Sequence, residues 1–83
     1  RTAHQNLYLN VSAGAGEVKL DDITAVVKQV FGKSYLKRYD ENSDHIEASF
    51  LVDSPRPGSL GQFREQIGKL GTVNISFVES KSF

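Results

Sequence analysis

Eighty-three residues hold one small domain and leave no room for a second core. A hydrophobic fraction of 39% with 24% charged residues excludes a disordered tail. Ten Lys+Arg balanced by ten Asp+Glu argue against a protein that tracks nucleic-acid phosphates, and the absence of cysteine excludes disulfides, thiolate zinc sites and cysteine nucleophiles.

Residues 1–5, Arg-Thr-Ala-His-Gln, have no periodicity and read as a frayed lead-in to an ordered core of about residues 6–79. An opening on Arg1 rather than Met reads as a piece excised from a longer protein. Asn6–Ser12 then alternates, with Leu7, Leu9 and Val11 on one side and Tyr8, Asn10 and Ser12 on the other, the pattern of a half-buried strand. Ala13–Gly16 follows as a flexible loop.

The spacing of Ile23, Val26, Val27, Val30 and Phe31 predicts a helix over Asp22–Phe31 with one apolar stripe. Asp21 is expected as its N-cap, Leu20 as a staple against Ala25, and Gly32 as the residue of positive φ that ends it. Ser34–Asp40 is expected as a second strand, with Tyr35, Lys37 and Tyr39 on one face and Leu36 and Arg38 on the other. The polar run Glu41-Asn42-Ser43-Asp44 joins it to a third strand, His45–Val52, with Ile46, Ala48, Phe50 and Val52 inward.

Leu51–Gly71 is the most distinctive stretch. Pro55 and Pro57 stop the third strand, Gly58 permits a sharp turn, and Ser59 with Gln62 spells a capping box at the start of a second helix. Leu60, Phe63, Ile67 and Leu70 supply its apolar stripe, with Gly71 as its end. Gly61 and Gly68 are expected to let it lie close to a neighbour. Backbone N–H groups at a helix start can hold an anion or carbonyl. This makes Arg56, Gly58, Ser59 and Leu60 the candidate site for a small polar or anionic ligand, with Arg56 as its cationic partner. Thr72–Val78 closes the chain as a fourth strand, with Val73, Ile75 and Phe77 inward.

The order β-α-β-β-α-β predicts an α+β, ferredoxin-like sandwich: a four-stranded antiparallel sheet in order 4-1-3-2 with both helices on one face. Its other face would carry Tyr8, Leu51 and Val78, joined by Tyr35 or Tyr39, and is the candidate interface for self-association. A domain of this size nets only about 5–8 kcal/mol of stability, so a partner surface would help it. His4 and His45 sit on different segments without ligand spacing, so neither a metal nor another cofactor is expected. No Ser/His/Asp spacing or carboxylate pair points to catalysis. Leu7–Val11 is faintly similar to the first-strand motif of RNA-recognition domains. The third strand, however, presents His45, Glu47, Ser49 and Leu51 where aromatics beside a basic residue are needed.

With these elements in view, Val52-Asp53-Ser54-Pro55-Arg56-Pro57-Gly58-Ser59-Leu60 resembles the strand–Asp-x-Pro-Gly-x-Leu–helix turn of ACT-like regulatory domains, in which that turn follows the first strand instead of the third. Across Leu7 to Phe77 the chain is also similar to the C-terminal domain of an uncharacterised bacterial family of multi-pass membrane proteins. That likeness rests on Phe31 with Ser34–Arg38, on Glu47–Val52, and on Phe63, Ile67, Leu70 and Val73–Ser76. In architecture the tail domains of bacterial magnesium-homeostasis membrane proteins look similar. The resemblance implies a non-enzymatic regulatory domain on the cytoplasmic face of a membrane. It would sense a small ligand, associate with itself or dock on its own membrane domain; a purely structural oligomerisation module is the alternative.

Overall fold

The computed structural model describes residues 6–53 and 57–80. They form β1 (Asn6–Gly14), α1 (Leu20–Phe31), β2 (Ser34–Glu41), β3 (His45–Asp53), α2 (Ser59–Gly68) and β4 (Val73–Ser80). The strands make one antiparallel sheet in the order β2-β3-β1-β4, the expected ferredoxin-like arrangement. Strand alternation sends Leu7, Leu9, Val11 and Ala13 of β1, and Ile46, Ala48, Phe50 and Val52 of β3, to the helix side, where all are buried. Ile23 and Val27 of α1 and Phe63 and Ile67 of α2 complete that core. Phe63 is its keystone: its ring lies 5.4 Å from Phe31 and 6.4 Å, edge-on, from Phe77, so it joins α1 to β4. Such aromatic pairs add about 0.5–1.5 kcal/mol beyond the area they bury.

The helix starts differ from the sequence expectation. α1 begins at Leu20, because the carbonyl of Lys19 accepts the N–H groups of both Asp22 and Ile23 at 3.1 Å. Asp21 therefore lies inside the first turn. It favours the positive helix end through its charge but is not a cap, and Leu20 is not the flanking staple residue. At α2 the N-cap is Gly58, with φ +88°, and among the described residues no side chain caps the helix. Because Gly58 takes the left-handed turn, Ser59 has already entered the helix, and the capping box with Gln62 does not form. α2 ends at Gly68, short of Gly71; the N–H groups of Lys69 and Leu70 close a last turn onto Gln66 and Ile67. Gly32 ends α1 with φ +80°, its N–H donating to the carbonyl of Lys28, as expected.

β2 differs most. Its register against β3 shifts between Leu36 and Arg38, a bulge that leaves Lys37 without an opposite residue. One extra residue inverts the alternation beyond it. Tyr35 pairs with Leu51 on the open face, whereas Tyr39 pairs with Ala48 on the helix side. The expectation that Tyr35 and Tyr39 share a face is thus overturned.

Candidate functional site

The open face of the sheet is organised in cross-strand rows. Tyr35 lies opposite Leu51, Leu51 opposite Tyr8, and Tyr8 opposite Val78, so one row crosses all four strands. Tyr35 is 58% exposed, Tyr8 38% and Val78 59%, with Leu51 half-buried between the two tyrosines. The row brings together all three predicted interface residues and adds Tyr35. Aromatic–aliphatic neighbours across strands contribute about 0.2–1 kcal/mol each, but they leave this band open to water.

The next row is polar: Arg38, Ser49, Asn10 and Ser76. The hydroxyl of Ser49 donates to Oδ1 of Asn10 at 2.7 Å, and Nδ2 of Asn10 donates to Oε2 of Glu47 at 2.9 Å. The third row, Asp40, Glu47, Ser12 and Asn74, is acidic on its β2 side. Along β2 the exposed Arg38 and Asp40 form an ion pair at 2.7 Å. The open face is therefore divided into an apolar band toward one end and a satisfied polar network beside it.

Of the predicted ligand turn, Arg56 lies outside the described residues. Gly58 and Leu60 are exposed and Ser59 is buried. Leu60 does not join the core stripe of Phe63 and Ile67. Instead it lines a groove of about 700 Å³ between α2 and β4, with Gly61, Arg64, Gly68, Gly71, Ile75 and Phe77 among the groove's walls. Gly61 and Gly68 have no close neighbour among the described residues: a Cβ at either would meet nothing within 4 Å. A smaller hollow of about 400 Å³ lies where β1 runs into the following loop, walled by Ser12, Gly14, Glu17, His45 and Asn74. It lies beside the turn after the first strand.

On the helix side of β2 the hydroxyl of Tyr39 donates to Oε1 of Glu41, and this bond to a carboxylate raises the Tyr39 pKa above its ordinary value of 10.0. The hairpin between β2 and β3 is closed by Asn42, whose Oδ1 accepts the N–H groups of Asp44 and His45.

The groove was not foreseen from the sequence. A signal for it exists: Gly61, Ile67, Leu60 and Gly68, the positions three and four residues from Arg64 in α2, are all uncharged, so Arg64 has no helical partner for its charge. The row through Tyr35 was hidden by the bulge.

No protein-family model matches the chain, and no curated protein matches it. Among solved structures, it is similar to an uncharacterized protein, TM1266, from Thermotoga maritima, with a TM-score of 0.69 at 10% sequence identity, covering 95% of this chain and 100% of that one. It is also similar to a de novo designed protein, Foldit4, with a TM-score of 0.61 at 11% identity, covering 98% of this chain and 100% of that one. At such identities the likeness is one of fold.

Proposed function

We propose that this chain is a non-enzymatic interaction domain that works by docking the open face of its sheet onto a second copy of itself. The observation that carries the reading is the row Tyr35–Leu51–Tyr8–Val78, an apolar band with two phenol hydroxyls that spans every strand of the sheet. Tyrosines suit such a surface because the ring gains from burial while the hydroxyl finds a partner. A formal net charge of zero removes the general repulsion that would oppose pairing of like chains. The polar network of Asn10, Ser49 and Glu47 beside the band would fix how two copies register.

In this reading the domain serves a regulatory role like that of the ACT-like domains it resembles. It would hang on the cytoplasmic side from membrane segments outside these residues; among the described residues no helix is long and apolar enough to cross a membrane. Sedimentation equilibrium tests the association. The chain is expected to dimerise at micromolar concentration, and Tyr8→Arg to return it to a monomer. A monomer at several hundred micromolar would refute the reading.

A further inference from the structure

We infer that the free edge of β4, with the groove beside it, accepts an extended peptide that carries a carboxylate. Among the described residues β4 pairs only with β1, in an uninterrupted register from Val73 to Ser80, so no described strand meets the backbone groups of its other side. Residues 73–78, Val-Asn-Ile-Ser-Phe-Val, contain no charge and no proline. These are the features by which edge strands normally discourage added strands, and β4 lacks them until Glu79, next to its end.

The groove explains what such a strand would meet. Val73, Ile75 and Phe77 form its floor and are only half-buried, because β4 is the last strand under α2. Its α2 wall is made by Leu60, Gly61, Arg64 and Gly68, which recur every three or four residues and so share one helix face. The two glycines leave gaps in that wall between Leu60 and Arg64 and beyond it, and among the described residues nothing lies within 4 Å of where their Cβ atoms would be. Among the described residues Arg64 is the one charged residue lining the groove, and it makes no ion pair there.

An added strand would hydrogen-bond to β4 through its backbone and place alternate apolar side chains beside Ile75 and Phe77. An Asp or Glu of that strand would face the guanidinium of Arg64, which binds carboxylates through two parallel N–H groups. The lone cation among the groove's described lining residues is the reason for choosing an acidic peptide; the β4 of a second copy offers one carboxylate, Glu79, next to its end.

The test is selection of a phage-displayed random nonapeptide library on the immobilised full chain, followed by titration of the enriched peptide in solution. Peptides of alternating apolar residues with an Asp or Glu are expected, shifting the amide resonances of residues 73–78. Arg64→Gln should weaken them about tenfold, and Gly68→Leu or Gly61→Leu should abolish binding while leaving the melting temperature unchanged or higher. No enrichment, enriched peptides without a carboxylate, or binding indifferent to Arg64→Gln would overturn the inference. So would a homodimer abolished by Gly68→Leu, which would assign this edge to a second copy. Titration of the monomeric Tyr8→Arg chain separates this result from the fate of the open-face dimer.

Discussion

The two edges of the sheet are built in opposite ways. β2 carries Lys37, Arg38, Asp40 and Glu41, an ion pair along the strand and a bulge. β4 carries no charge from Val73 to Val78 and keeps an unbroken register. Charge and irregularity on an edge make it costly for another strand to join, because charges must be desolvated and the ladder cannot run straight. The chain has closed one edge and left the other available. The same bulge that protects β2 also delivers Tyr35 to the open face, so edge protection and the apolar row have one cause.

The comparison can be broken most forcefully at the core. β4 is anchored through Phe63 and Phe77, whereas β2 places only exposed side chains beyond Ser34. Phe63→Ala should cost about 3–5 kcal/mol in urea denaturation, and Leu36→Ala on β2 less than about 1 kcal/mol. Equal losses would show that the β2 edge is held by packing and not merely by its ladder.

A smaller effect concerns strand protection itself. Ser76→Lys on β4 should slow aggregation of heated protein several-fold by light scattering, while Lys37→Thr on β2 should speed it, since single edge charges act as gatekeepers. The smallest effect is electrostatic. In a Tyr8→Phe, Tyr35→Phe background Tyr39 is the one tyrosine left. Its phenol should titrate above the ordinary value of 10.0, because Glu41 accepts its proton in the neutral state. Any stabilisation from that bond is fully present below the unfolded pKa and lost as pH rises through the raised folded one. Glu41→Gln should bring the midpoint down, read by phenolate absorbance.

Much of this architecture was legible in the residues. Leu7, Leu9 and Val11, and likewise Ile46, Ala48, Phe50 and Val52, alternate so strictly that their buried side follows from period two alone. The helix stripes of Ile23 and Val27, and of Phe63 and Ile67, follow in the same way from period 3.6. What failed were details decided by backbone geometry. Asp21 and Ser59 are good capping residues, yet Lys19 and Gly58 occupy the positions where a cap must sit. Val18 is buried from within a loop, against Gly71, where a Cβ would come 3.2 Å from its Cγ2; a single apolar residue has no periodicity to announce it. Tyr8, Leu51 and Val78 share one face of the sheet, as the strand alternation implied. Tyr35 could not be assigned there, because a bulge shifts register without leaving a mark in composition.

The central claim is tested most directly by two tyrosines of one strand that the bulge sends to opposite faces. The dimer dissociation constant of the chain should be measured beside those of Tyr35→Arg and Tyr39→Arg by sedimentation equilibrium. Tyr35→Arg is expected to weaken the dimer about tenfold or more, a loss of at least ~1.4 kcal/mol, and Tyr39→Arg to leave it within about twofold. Equal weakening by both, or a larger effect from Tyr39→Arg, would contradict docking through the open face.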